Sequence, residues 1–280
     1  MLTRTFIHLQ GIGNRSEQEL WHSGFHTWDE LIESRPPFIS PARWEYYKDG
    51  LAESRRRLSA KPSFFSKTLP ARELWRIFPH FRPVTAYLDI ETSGLGTSSY
   101  ITTIAVYDGS KTRVYVQGEN LDDFPADIME YDVLVTYNGK TFDVPVIEQY
   151  FDMVLPQAHI DLRYILNSLG FKGGLKKCEQ MLGLDRGDLD GVDGYTAVIL
   201  WNTYRETGNR KALETLIAYN IRDSANLETL MVEAFNRHLQ ATPFYATLKI
   251  PVPVPVISGP EPDLELLRKL LDRQTSFLRY

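Results

Sequence analysis

The sequence predicts an α/β protein, a mixed sheet flanked by helices, with a small helical domain at its N-terminal end. Three observations carry this reading. Three short apolar runs between residues 84 and 116, separated by turn residues, form a meander. Helical and extended patterns then alternate, ending in one long helix. The first 58 residues carry helix start and stop signals and no strand pattern. With 280 residues, 43% hydrophobic and 24% charged, and a mean hydropathy of −0.28, the chain can bury a sizeable core and is neither disordered nor collagen-like. No apolar run approaches the ~18 residues of a membrane span, so no membrane association is expected.

In residues 1–58, Asn14 to Trp21 reads as a helix following the Gly11-Ile12-Gly13 turn. Gly24 ends it, and a second helix starts at Thr27, an N-cap with Glu30 three residues on. Pro36-Pro37 then breaks the pattern. Residues 59–83, with scattered prolines, aromatics and basic residues (Lys61, Lys67, Arg72, Arg76, Arg82), read as a linker. The main domain spans 84–240. Its expected strands are Val84–Ile90, Tyr100–Tyr107, Thr112–Val116 and Asp132–Thr136, and its expected helices include one from about Asp143 and a long one over Lys211–His238. In the tail, 241–280, Pro251, Pro253 and Pro255 impose an extended path that cannot be a central strand. A last amphipathic helix carries Leu264, Leu267 and Leu271 on one stripe. Such a stripe most simply packs on its own domain; the other use is a protein partner bound through the tail.

The single cysteine, Cys178, permits no internal disulfide and no cysteine zinc cluster, and the N-terminus lacks a signal-peptide pattern, so a cytoplasmic location is expected. A net charge of −5 argues at first against a nucleic-acid partner. The charge is unevenly spread, however. Residues 1–85 hold 13 Lys and Arg against 9 Asp and Glu, a net of +4, and the remainder holds 18 against 27, a net of −9. A basic head precedes an acidic body.

Three segments of the body carry candidate chemistry. In Asp89-Ile90-Glu91-Thr92, strand alternation puts Asp89 and Glu91 on one face, about 7 Å apart. Two carboxylates there repel each other unless a positive group intervenes, and Mg²⁺ or Mn²⁺ suits carboxylate oxygens. A solvated strand end is the plainer reading of this pair alone. In Asn138-Gly139-Lys140-Thr141-Phe142-Asp143, a tight turn delivers Asp143 to a helix start, where the dipole favours an acid whatever its function. In Tyr219-Asn220-Ile221-Arg222-Asp223, a spacing of four places Tyr219 and Asp223 on one helix face; a core tyrosine beside a surface acid would look the same.

Taken together in this order, the three segments resemble the motifs of the DEDDy 3′–5′ exonucleases of the RNase H-like (DnaQ-like) superfamily: D-x-E at Asp89 and Glu91, N-x-x-x-F-D at Asn138, Phe142 and Asp143, and Y-x-x-x-D at Tyr219 and Asp223. The resemblance spans about residues 84–240, and proofreading domains of B-family DNA polymerases share the tyrosine motif. Further stretches, His159-Ile-Asp161-Leu162, Gly174-Leu-Lys176 and Gly194-Tyr-Thr, are similar to the YprB-like branch. The resemblance implies an RNase H-like fold and a metal-dependent 3′–5′ exonuclease acting on single-stranded ends. In it Asp89, Glu91, Asp143 and Asp223 hold two divalent cations, Mg²⁺ or Mn²⁺, and Tyr219 orients the attacking water. DNA is the favoured substrate; an exoribonuclease and a non-catalytic nucleic-acid-binding module are the alternatives.

Other features carry less. The acidic run Asp185–Asp193 fails as a calcium loop because Ile199 stands where a glutamate is needed. Gly11-x-Gly13 continues to Ser16, so the dinucleotide fingerprint is incomplete, and His22 and His26 lack the glutamate of a zinc-protease helix. Asp161 reads as a turn or strand-end residue before a site acid. The stretch from Leu9 through Gly11, Gly13 and Trp28 resembles a helix-hairpin-helix element, which implies phosphate contacts from Gly11, Gly13 and Arg15. Asn138 and Lys176 complete the expected nucleic-acid contacts.

Overall fold

The computed structural model of the chain describes residues 1–59, 62–94, 96, 98–184, 189 and 192–277, with side chains through residue 270. Its sheet has five strands: β1 (Thr85–Thr92), β2 (Ile101–Tyr107), β3 (Thr112–Val116), β4 (Val133–Thr136) and β5 (Ala158–Asp161). Their order is β3-β2-β1-β4-β5, antiparallel through the meander β1-β2-β3 and parallel between β1 and β4 and between β4 and β5. The mixed sheet is therefore as the pattern predicts, with one strand added. β5 is only four residues, Ala-His-Ile-Asp, too short for alternation to reveal; its pairing with β4 makes it a strand.

Before the sheet come α1 (Asn14–His22), α2 (Trp28–Glu33), α3 (Pro41–Arg57), α4 (Pro62–Thr68) and the single turn α5 (Phe78–Phe81). Thr27 and Glu30 form the expected capping box at α2. α3 escapes the sequence pattern because only Tyr47, Leu51 and Ser54 of its 17 residues are buried, so no apolar stripe announces it. Its mid-helix Gly50 has a packing reason: a Cβ there would come within 2.7 Å of the Leu9 side chain. The stretch expected to be a linker is instead helical, through α4, the 3₁₀ segment Ala71–Arg76 and α5, and it buries Phe65, Leu74, Trp75, Phe78 and Phe81.

The remaining helices are α6 (Phe124–Ile128), α7 (Asp143–Phe151), α8 (Leu162–Ser168), α9 (Leu175–Met181), α10 (Gly194–Thr207), α11 (Arg210–Leu239), α12 (Tyr245–Leu248) and α13 (Leu264–Phe277). Alternation along β1 separates two cores. Ala86, Leu88 and Ile90 face α6 and α7 through Phe124, Ile128 and Ile147. Tyr87 faces the opposite side, where Leu227, Leu230, Met231 and Phe235 of α11 share one cluster with Phe6, Trp21, Trp28 and Trp75 of the N-terminal region. The basic head thus packs directly on the helix that covers the sheet. α11 is buried on most of its circumference, because the tail covers it as well: Asn236 exchanges two hydrogen bonds with the backbone of Ile250, at 2.7 and 2.9 Å. Leu267 and Leu270 of α13 are buried against Trp201 and Leu213, so the start of the last helix packs on its own chain; the side chain of Leu271 lies outside the described residues. Residues 185–188, 190 and 191 of the acidic run also lie outside them. Among the described residues no helix is long and apolar enough to cross a membrane.

One buried ring makes the N-terminal region sensitive to acid. His8 is 7% exposed, its Nε2 lies 3.0 Å from Ser54 Oγ, and its ring packs on Trp28 at 5.2 Å. Burial, reinforced by the charge of Arg76, pushes its pKa down to about 3. The unfolded chain binds this proton near pH 6.5 and the folded chain does not, so stability falls as pH drops below 6.5 toward 3, with about 3 kcal/mol lost by pH 4. Urea unfolding at pH 7 and pH 4 should show this loss, and His8→Leu should remove that part of the pH dependence.

Candidate functional site

The site begins where β4 ends. β1 pairs with β4 only through Thr85, Ala86 and Tyr87, so beyond Tyr87 its β4-side edge is open. Chain after β4 turns sharply at Asn138, which has a left-handed φ of 65°, and at Gly139, where a Cβ would meet Thr136 Oγ1 at 2.3 Å. The turn is braced by Asp161, whose carboxylate accepts hydrogen bonds from the backbone N–H of Asn138 (2.8 Å), Lys140 (3.1 Å) and Arg163 (3.0 Å). Asp161 is therefore a strand-end brace and the N-cap of α8. The turn delivers Asp143 to the first residue of α7, and its Oδ1 accepts from Ile90 N at 3.3 Å. A side-chain carboxylate thus serves β1 where a β4 carbonyl would have done so.

Asp89 and Glu91 point to the α11 side of the sheet, and the register between β1 and β2 shifts at Glu91 and Thr92. Such irregularities re-aim side chains at strand ends. From α11 come Tyr219, Asn220 and Asp223, respectively 3%, 0% and 4% exposed. One carboxylate oxygen from each of Asp89, Glu91 and Asp223 lies within 4.8 Å of the others. Burial, then the charges of Asp223, Glu91 and Asp143, push the Asp89 carboxyl well above the usual carboxylate range. Burial likewise raises Asp143 to about 7, against the opposing hydrogen bonds from backbone N–H groups. A donor set made only of carboxylate oxygens fits a hard divalent cation such as Mg²⁺ or Mn²⁺.

A cleft of about 540 Å³ opens beside the cluster, lined by Asp89 and Asp143 together with Tyr137, Asn138, Phe142, Arg163, Asn167 and Lys172. Arg163 donates to Asn138 Oδ1. Both Arg163 and Lys172 are exposed, and neither stands out in the sequence, because an isolated basic residue in a loop or helix start has no pattern. Lys176, expected as a nucleic-acid contact, has its Nζ 4.9 Å from the centre of the Tyr219 ring, a cation–π contact. Asn220, which sequence reasoning also passed over, donates from Nδ2 to both the backbone oxygen (3.1 Å) and Oδ2 (2.7 Å) of Asp89. Gly11 and Gly13 line a separate cleft of about 520 Å³ with Asn14, Thr68 and Arg72. Gly11 has a left-handed φ of 88° and Arg43 packed against it, Gly13 is the N-cap of α1, and Arg15 is exposed. The structure brings the five motif residues to one end of β1 and keeps the Gly11–Gly13 turn in a different cavity.

The family B DNA polymerase from the hyperthermophilic archaeon Pyrobaculum calidifontis is similar over 54% of this chain and 25% of its own, with 17% identity and a TM-score of 0.42. The chain spans about a quarter of that polymerase's length. No curated protein matches it. The model of the RNase H superfamily matches residues 86–235, from the second residue of β1 to near the end of α11. The match takes in more than half of the chain and every strand of the sheet, and the chain belongs to the RNase H superfamily.

Proposed function

We propose that the chain is a metal-dependent 3′–5′ exonuclease of the DEDDy type, hydrolysing phosphodiester bonds at single-stranded ends, with DNA the favoured substrate. The observation that carries the reading is the convergence of carboxylates from β1, α7 and α11 at the open end of the sheet. Asp89, Glu91 and Asp223 supply oxygens within 4.8 Å of one another, and Asp143 stands on the adjoining edge. These four would hold two divalent cations, which supply an activated water and stabilise the leaving oxygen.

The chain's own residues do the rest. Asn220 fixes the Asp89 carboxylate and Ile90 N–H fixes that of Asp143. Tyr219, restrained by Lys176 over its ring, would orient the attacking water through its hydroxyl. Arg163 and Lys172 on the cleft wall suit backbone phosphates. The acidic balance of the body then counts less against nucleic acid, since four of its acids face cations. The 3′ polarity rests on the motif resemblance alone, and the helix-hairpin-helix-like turn at Gly11 and Gly13 is proposed as a second, non-specific phosphate contact.

End-labelled single-stranded DNA and RNA, with Mg²⁺, with Mn²⁺ and with EDTA, test this reading. The expected result is a ladder of products shortening from the 3′ end of DNA, absent in EDTA and on 3′-blocked strands. Preference for RNA would favour an exoribonuclease. Cleavage of a closed circular strand would overturn the exonuclease assignment, and binding without cleavage in any metal would leave a nucleic-acid-binding module.

A further inference from the structure

We infer that Asn220 is the positioning residue of the acidic cluster, holding Asp89 so that its second carboxylate oxygen faces the metals; this deepens the metal-dependent reading above and rests on it. Asn220 stands on the middle of α11, the helix packed along the sheet, so its amide is fixed relative to β1 by the core on both sides. Its Nδ2 donates to Asp89 twice, to the backbone oxygen at 3.1 Å and to Oδ2 at 2.7 Å. Two bonds to one residue fix both its strand position and its side-chain rotation.

The need for such a clamp follows from charge. One carboxylate oxygen each of Asp89, Glu91 and Asp223 lies within 4.8 Å of the others, so without a tether like charge would turn Asp89 away. A carboxylate that has one oxygen tied to an amide N–H presents the other in a defined direction. The residue type is also restricted. Aspartate has the same shape but no N–H to give and adds another negative charge; leucine has the volume but no donor; glutamine needs an extra methylene at a position with 0% exposure.

A second observation separates this role from ordinary core packing. Asn220 Oδ1 is buried and, among the described residues, has no hydrogen-bond partner. A residue kept only for stability would not leave a buried acceptor unsatisfied, because that is costlier than an apolar side chain of the same size. The amide is retained for what its N–H group does.

The test is Mn²⁺ binding to the full chain by titration calorimetry, with thermal melts in EDTA, for the wild type, Asn220→Leu and Asn220→Asp. Orientation predicts that both variants bind Mn²⁺ at least ~10-fold more weakly, the usual effect of losing a group that orients a metal ligand. It also predicts that Asn220→Leu still melts cooperatively in EDTA, since relief of the unpaired Oδ1 offsets part of the two lost bonds, and that its cleavage recovers as Mn²⁺ is raised. Should Asn220→Leu fail to fold, Asn220→Asp still decides, because Mn²⁺ bound as tightly as or more tightly than by the wild type would show that charge and not orientation governs the site. Wild-type affinity in both variants would overturn the role of Asn220 and leave the metal reading intact. A wild-type chain that binds no Mn²⁺ would overturn the metal reading and this inference with it.

Discussion

Replacing Asp89 by asparagine should abolish metal-dependent cleavage, a loss of at least ~10³-fold, while making the metal-free protein more stable. The two effects share one cause. Asp89 lies where the charges of Asp223, Glu91 and Asp143 all bear on it, and its half-buried place at the cleft weakens their screening by water. An uncharged side chain of the same shape relieves that repulsion and can still accept the hydrogen bond from Asn220 through its own amide oxygen. A gain of about 1–2 kcal/mol at pH 8 in EDTA is expected, a rise of about 2–6 °C in melting temperature for a chain of this size. Mn²⁺ should reverse the order, because a ligand that binds only the folded state stabilises it in proportion to the logarithm of its concentration over Kd. Thermal melts of both proteins in EDTA and across a Mn²⁺ series measure this directly. If Asp89→Asn melts lower than the wild type in EDTA, the cluster is a satisfied structural network and not a site strained for cations. Tyr219→Phe serves as the companion: it should slow cleavage but leave the Mn²⁺-induced rise in melting temperature unchanged, since its ring remains under Lys176 and none of the carboxylates is altered.

Legibility from the sequence divides along physical lines. β1, β2 and β3 were readable because each is an apolar run bounded by turn residues, and the long helix because its buried positions recur over many turns. The order of Asp89, Glu91, Asp143, Tyr219 and Asp223 along the chain was readable as a motif, whereas their distances depend on where β4 stops. That stopping point leaves the β1 edge open for Asp143, and no local pattern encodes it. β5 and α3 were hidden for opposite reasons: the strand is too short to alternate, and the helix is too polar to show a stripe. The stretch 59–83 reads as a linker because prolines break patterns, yet here they sit at helix starts, Pro62 opening α4 and Pro79 the second residue of α5, where the missing N–H costs nothing. Asn220 was overlooked because an asparagine between a tyrosine and an aspartate reads as part of a motif's spacing. Only its 0% exposure and its two bonds to Asp89 mark it out.

Arg76→Leu should cost about 3–5 kcal/mol of unfolding free energy, the largest stability effect expected outside the apolar core. Arg76 is 4% exposed in the 3₁₀ segment before the sheet, and its guanidinium lies 2.9 Å from Glu17 of α1 and 3.0 Å from Glu73. Glu17 is 1% exposed and also accepts from Thr5 Oγ1 at 2.6 Å and Phe6 N at 2.7 Å. Burial holds the Glu17 carboxyl above its ordinary range even with Arg76 beside it, so removing the cation leaves Glu17 without its counter-charge and Glu73 with only the exposed Arg72, at 3.7 Å. The guanidinium also stacks on Trp75, 4.5 Å from the ring centre, and Trp75 in turn stacks on His238 of α11 at 5.0 Å. Arg76 therefore joins the basic head to the helix that carries Tyr219, Asn220 and Asp223. Adding Glu17→Gln to Arg76→Leu should recover part of the loss, because the amide can still accept from Phe6 N and carries no charge to desolvate. Urea denaturation followed by tryptophan fluorescence and far-UV circular dichroism measures both changes. Because the N-terminal aromatics and α11 share one buried cluster, the two signals should move together to lower urea in Arg76→Leu. Two separated transitions would instead mean that the head unfolds as an independent domain, and that Arg76 stabilises the head alone.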